Sequence, residues 1–540
     1  MKVNMEFKEI SAASLKKYLK VTKIEADTSH LSESQKNVLG YLIEATKHIQ
    51  DLYMIQRSRE NAKIIESLKK QKKLSLLKIF YVMAGGINEF DNTVFIKDYV
   101  RHEGGGFYPE DLTIEEWNKW LEDHPEDEED FCSPYTVIVR DENGGLAAVK
   151  YCDYYRDKLV LIADMLYEAG EAAENFYLKS FLNAQANAFH TNNFEEADIR
   201  WIQLENNSIE PLIGAYEYYD DRFLGYKTSF TSFITIKNEL QLHKIQQILK
   251  LTDTLQSLLP VPGNYKKNKV ERKSQLMIVD VIYSAGDGRG PVVTAAFNLP
   301  NSQKIRAEFG AKKIIMHNVV KAKFDSVMLL IADVVFGERD KEKVAFAAYF
   351  NHIILHEISH GLGIGMIKDD DGELHDVSHY LKDLYSVIEE AKADVMALFL
   401  LFYLIKQGIL ADCNITELIF TYLAGILRSI RFGQHNPHGI ASMIQWNFLV
   451  GEGAILILQD EPLNITADLR KMEMATEKLL TLLLTIQGEG NYEMANSLIE
   501  RFGKSSAIIS DFIGKMKDFP IDILPYFPFV GETEAFFDEE

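Results

Sequence analysis

His356-Glu357-Ile358-Ser359-His360 and, further along, Glu389-Glu390-Ala391-Lys392-Ala393-Asp394 hold the side chains best suited to chemistry. On a helix, positions i and i+4 lie on one face, so both imidazoles reach one ion while Glu357 points at its water. Catalytic zinc takes three protein ligands and keeps a position for water, and His356, His360 and Glu390 supply three. The ion would acidify its water and polarise a scissile carbonyl; Glu357 would take the water proton and pass it to the leaving amine. Asp394, one turn beyond Glu390, would accept the second N–H of a ligand imidazole, with Glu389 beside it in the same supporting role. HExxH by itself is moderately specific in a chain with 14 His and 80 acidic residues. The downstream acids make a zinc hydrolase the better reading than an accidental pentapeptide on an amphipathic helix.

These residues need helices to position them. The apolar run Val395 to Ile405 is too short to span a bilayer and reads as a core helix that carries Glu390 inward. Gly361-Leu362-Gly363-Ile364-Gly365 directly follows the pentapeptide, so it reads as helix termination, not a phosphate loop. Asp369-Asp370-Asp371-Gly372 lacks calcium-loop spacing and reads as a turn. Upstream, Ser32 to Glu66 has helical periodicity, residues 84–146 read as loop-rich, and Tyr155 to Asn192 as a long helical stretch. Gln275 to Ile282 and Lys312 to Met316 read as strands. Helical periodicity dominates from His317 onward.

With 540 residues, 47% hydrophobic and 26% charged, the chain reads as a soluble globular protein of two or more lobes. A net charge of -22 argues against nucleic acid and anionic membranes as partners. Glu126 to Asp130 and the tail Asp538-Glu539-Glu540 read as solvated acidic segments. Cys132, Cys152 and Cys413 form no CxxC pair, which suits reduced thiols and a cytoplasmic location. The first twenty residues show no apolar core of a signal peptide.

The run Leu355-HEISH-Gly361-Leu362-Gly363 followed by Glu389-Glu390-Ala391-Lys392-Ala393-Asp394 resembles the dipeptidyl peptidase III family of zinc exopeptidases. That family typically pairs a hexapeptide HExxGH with an EECRAE-like motif. The pentapeptide here is similar to a shorter bacterial branch, and to the peptidase half of plant proteins fused to a Nudix domain. Arg200-Trp201-Ile202-Gln203, Ile213 to Phe223, and Ala285-Gly286 with Phe297-Asn298-Leu299-Pro300-Asn301 resemble further family segments. His438, followed by Gly453, sits where the family has a histidine.

The resemblance implies a predominantly helical α+β fold of two lobes separated by a wide cleft. Residues 236–271 and 321–509 would form a helical zinc lobe. Residues 1–235, 272–320 and 510–540 would form a mixed lobe containing a β-barrel. It implies one Zn2+ per chain, held by His356, His360 and Glu390. Glu217, Asn298 and Asn301 would bind the peptide's free α-ammonium and first backbone groups; Tyr219 and His438 would donate to the oxyanion. Thr231 follows Phe230 where family members often carry Glu, so no amine contact is carried over to that position. The expected activity is release of dipeptides from the N-termini of short oligopeptides, by a monomer or weak homo-oligomer. The alternatives are another HExxH gluzincin-type aminopeptidase or endopeptidase, or a non-catalytic peptide-binding protein. His435, near His438, reads as a loop histidine.

Overall fold

The computed structural model describes residues 7–8, 12–266, 274–338, 340–369, 371–431, 433, 436–458 and 464–533. Asp370, His435 and the tail acids Asp538, Glu539 and Glu540 lie outside the described residues. The chain is a mostly helical α+β protein that divides into two compact units. One comprises Met1–Glu239, Lys273–Ala322 and Pro520–Glu540, the other Leu240–Arg272 and Lys323–Phe519. Among the described residues no helix is long and apolar enough to cross a membrane.

The first unit is built on five strands: β1 Leu212–Glu217, β2 Ser229–Lys237, β3 Ser274–Gly286, β4 Ala296–Leu299 and β5 Ala311–Met316. They pair in the order β1-β2-β3-β5-β4, with β3 and β5 parallel and the other neighbours antiparallel. The expected barrel is thus a curled half-barrel whose edges, β1 and β4, are not paired with each other. Irregularities between Ala215 and Glu217 and between Ile234 and Thr235 supply local bends. The sequence reading found β3 and β5 but missed the short β4, and also missed β1 and β2. Both are buried along nearly their whole length, so they lack the apolar–polar alternation of a half-solvated strand. Ser229, Thr231, Ser232 and Thr235 also disguise β2 as surface, although all four are buried. Their hydroxyls are bonded inside: Ser229 donates to Asp220 and Thr235 to the Glu210 carbonyl, Ser232 pairs with Thr46, and Thr231 accepts from the Gly288 N–H.

The helix Glu33–Arg57 packs across β2 and β3. It starts at Ser32, whose hydroxyl accepts from the Gln35 N–H while the Gln35 side chain accepts from the Ser32 N–H. The stretch to Glu66 is not one helix. The chain breaks at Ser58 and resumes as Asn61–Lys70, with the Met54 carbonyl accepting from both the Ser58 N–H at 3.3 Å and the Asn61 side-chain amide at 2.9 Å. Tyr155 to Asn192 is likewise two helices, Arg156–Ala172 and Phe176–Thr191. The 84–146 stretch contains a helix, Ile114–Asp123, and a strand, Thr136–Arg140, that pairs with Leu146–Lys150.

The second unit is helical. Its principal helices are Phe346–Ser359, Tyr385–Lys406, Ile415–Ile430, Pro437–Gly451 and Leu469–Glu489. Tyr385–Lys406 buries most of its surface, including Ile388, Ala391, Val395, Leu398 and Leu401. Gly372, with φ of 89°, turns the chain between the short paired strands Met366–Lys368 and Leu374–Asp376.

Gln56 ties helix to sheet in the first unit. Its buried amide donates to the Thr228 carbonyl at 3.2 Å and accepts from the Phe230 N–H at 2.7 Å. Gln56→Leu strands the Phe230 N–H, while the Thr228 carbonyl keeps the Tyr151 hydroxyl at 2.9 Å, and is expected to destabilise by about 1–3 kcal/mol. A lowered urea midpoint would show it; an unchanged midpoint contradicts the assignment.

Candidate active site and metal centre

His356 and Glu357 occupy the last turn of Phe346–Ser359, and His360 caps it. Lys392 explains how that end is held. This buried cation donates to the Ser359 and Leu362 carbonyls at 2.9 and 3.3 Å and pairs with Glu389 at 2.8 Å. A cation suits a helix C-terminus, where carbonyls lack intrahelical partners. Gly363, with φ of 80°, then turns the chain away and donates its N–H to the Gln256 side chain.

Helix Tyr385–Lys406 crosses behind and presents Glu389, Glu390 and Asp394. His356 Nδ1 donates to Asp394 at 2.7 Å, and His360 Nδ1 donates to Glu389 at 2.8 Å. Both Nε2 atoms therefore turn lone pairs inward, 3.1 Å apart. Glu390 Oε2 lies 3.4 Å from His356 Nε2 and 4.0 Å from His360 Nε2. Two ligands of one tetrahedral zinc ion stand about 3.4 Å apart, so the set has suitable dimensions. Glu390 Oε2 is also buried without a well-directed hydrogen bond. Nitrogen and carboxylate donors, a buried acceptor and converging lone pairs all fit a divalent cation such as zinc.

The charges agree. Burial opposes ionisation of Glu389, but Lys392 and His360 outweigh it and hold its pKa at about 2. Glu390 and Asp394 are likewise held low against burial, by His356 and His438 for the first and mainly His356 for the second. Burial disfavours a charged His356, yet Asp394 and Glu390 raise its pKa to about 10, so a proton at its Nε2 stands where a bound cation would displace it. Three ionised carboxylates around two imidazoles thus make a strongly cation-seeking cluster.

Glu357 lines a pocket of about 210 Å³ with His352, His356, Asp394 and His438. His438 sits in the first turn of Pro437–Gly451, its backbone N–H donating to the Asn436 side chain. Its Nδ1 is 3.1 Å from Glu390 Oε2, and that contact raises its pKa despite partial burial.

The other expected residues belong to the first unit. Glu217 ends β1, half-buried, with its pKa raised by burial and then by Asp220. Tyr219 follows in the next loop and is 77% exposed. Asn298 lies on β4 opposite Lys313, and its Oδ1 is buried without a partner. Asn301 donates to the Tyr216 carbonyl at 2.7 Å, which ties it to the residue before Glu217. Thr231 is buried inside β2.

Sequence reasoning assigned no role to Lys392, Gln445 or Gln487. Gln445 donates to Asp394 at 3.0 Å and Gln487 to Glu389 at 2.7 Å, so each supporting carboxylate has a partner of its own. Lys392 was detectable as a charge three residues after Glu389 inside an apolar helix; the glutamines carried no signal. Asp369, read as part of a turn, and Glu373 and His375, given no role by the sequence, also bring ligand atoms within 4.8 Å of one another. There His375 lies 3.0 Å from Asp369, and Glu373 is mostly exposed.

A family model described as Peptidase family M49 matches residues 132–383. The structure of DPP III from Caldithrix abyssi superposes with a TM-score of 0.90 at 34% identity, covering 95% of this chain and 98% of that one. Dipeptidyl-peptidase III from Corallococcus sp. strain EGB superposes with a TM-score of 0.77 at 29% identity, covering 98% and 99%. Nudix hydrolase 3 of Arabidopsis thaliana is 29% identical over 97% of this chain and 75% of its own length.

Asp394→Asn removes the charge behind His356 while keeping its shape. Zinc affinity, measured by competition with a chromophoric chelator, is expected to fall about 10–100-fold. Unaltered affinity would show that the Asp394 charge does not support the metal centre.

Proposed function

Because the chain belongs to peptidase family M49, the dipeptidyl peptidase III family of metallopeptidases, we propose that it is a zinc exopeptidase releasing dipeptides from the free N-termini of short oligopeptides. The observation that carries this reading is the convergence of His356, His360 and Glu390 beside a pocket lined by Glu357. Zinc held by those three ligands would supply Lewis acidity at the scissile carbonyl and a water acidic enough to ionise near neutral pH.

The chain's own groups do the rest. Glu357 takes a proton from the attacking water and returns it to the departing amine. Asp394 and Glu389 keep the two imidazoles in one tautomer and orientation, so the ligand nitrogens need no rearrangement. His438 and Tyr219 are the donors for the developing oxyanion, where preformed hydrogen bonds lower the barrier. Glu217 and the unpartnered Asn298 Oδ1 accept from the peptide's α-ammonium, and Asn301 fixes the first backbone groups. Demanding a free α-amine confines cleavage to the peptide N-terminus.

Zinc-loaded protein given a free-amine pentapeptide is expected to release the N-terminal dipeptide, as read by mass spectrometry, and to leave the N-acetylated peptide intact. Internal cleavage or single-residue release would overturn the proposal. Glu357→Gln is expected to retain zinc while kcat falls by about 10²–10⁴. Substantial remaining turnover would remove Glu357 from its role.

A further inference from the structure

Asp287 takes no part in the reading above, yet it stands at the same end of the sheet as Glu217. Glu217 pairs with Ser229 on β2, and Gly286 pairs with Thr231 two residues further on. Strands β1 and β3 thus bring a carboxylate to each side of one short stretch of β2. The turn that carries Asp287 is held on three sides. Tyr53 donates to Asp287 Oδ1 at 3.3 Å, the Gly286 N–H donates to Gln50 at 3.0 Å, and the Gly288 N–H donates to Thr231 at 3.1 Å. Two positions demand glycine: Gly286 has φ of 74°, and a Cβ on Gly288 would lie 2.1 Å from the Phe233 ring.

The surrounding charges leave the two carboxylates unmatched. From the helix come Arg57 and Tyr53, from the loop after β1 come Tyr219 and Asp220, and β2 contributes only neutral Ser229 and Thr231. Arg57 is taken by Asp220 and Glu89, and Arg101 pairs with the same two acids. Arg289, on the Asp287 turn, is paired with Glu532.

We propose that Asp287 is a second carboxylate for the peptide α-ammonium assigned to Glu217, and so a specificity-determining residue; this rests on the Glu217 reading and extends it. A compact ammonium has three donors and can answer two carboxylates at once. The titration behaviour agrees: burial, then Asp220 and Glu217, push Asp287 up to about 7 against the pull of Arg57 and Tyr53. Glu217 is raised by burial and by Asp220. Near neutral pH the pair therefore holds a proton that an arriving ammonium displaces. Binding favours the ionised pair, so affinity is full above about pH 7 and weakens below it, roughly tenfold between pH 7.5 and 6.

The test is calorimetric binding of a free-amine tetrapeptide to the full zinc-loaded chain carrying Glu357→Gln, which prevents turnover. Adding Asp287→Asn, which keeps an acceptor for Tyr53, is expected to raise Kd about tenfold at pH 7.5 and to flatten its pH dependence. Asp287→Glu is expected to recover most of the loss. An unchanged Kd in folded Asp287→Asn protein overturns the proposal. Should that variant not fold, Asp287→Ser in the same background decides: a Kd raised about tenfold at pH 7.5 is expected, and an unchanged Kd overturns the proposal. A tetrapeptide lacking the α-amino group separates the two readings. If it binds the parent undiminished, the Glu217 assignment fails as well. If it binds weakly while Asp287→Asn binds normally, only the Asp287 proposal fails.

Discussion

Two imidazoles that turn their Nε2 atoms toward each other at 3.1 Å, with room between them only for a shared proton or a cation, are the constraint around which the second unit is organised. Such an approach is unfavourable unless something fixes both rings and a positive charge favours their convergence. The fixing is done from behind by Asp394 and Glu389, and those carboxylates in turn need partners to survive burial. Gln445 answers Asp394, while Gln487 and Lys392 answer Glu389. Lys392 also takes the carbonyls at the end of the histidine-bearing helix. One buried lysine thus serves both the electrostatics of the centre and the termination of the element that presents it.

The first unit meets the opposite demand. Among the described residues its acidic groups gather at one end of a sheet without a metal-ligand geometry, and hydrogen bonds to backbone and side chains hold the elements that carry them. Gln56 anchors the start of β2, Ser229 holds Asp220, and Asn301 grips the strand that ends in Glu217. Arg57 and Arg101 neutralise part of the cluster and leave part of it negative. A surplus of buried negative charge raises carboxylate pKa values and makes a compact cation a favourable guest. Both units therefore store unfavourable electrostatics that a positively charged partner relieves.

Several elements were readable in advance for clear reasons. The helix start at Ser32 is local, and the apolar run after Asp394 reads as a core helix, so both followed from the sequence, although the Gln35 half of the cap did not. Strands β1 and β2 were not readable, because complete burial erases alternation and internally bonded Ser and Thr imitate a surface. The break at Ser58 escaped periodicity because the amide that stabilises it comes from Asn61, an unremarkable helix-starting residue. The barrel became a half-barrel because pairing across strands is decided by partners far apart in sequence.

Around the centre, the division has the same physical origin. Sequence alone determined the ligand types and their spacing, because the i, i+4 relation on a helix is a local property of the backbone. It also determined that Glu389, Glu390 and Asp394 share one helix. Which carboxylate meets which imidazole was decided only when two helices packed in one register, giving Asp394 to His356 and Glu389 to His360. The same packing delivered Gln445 and Gln487, and the sheet brought Asp287 to the end of β2 that Glu217 also reaches. Those pairings link residues that are dozens to about a hundred positions apart. No spacing rule reaches so far, because only the folded packing of helices and strands sets such distances.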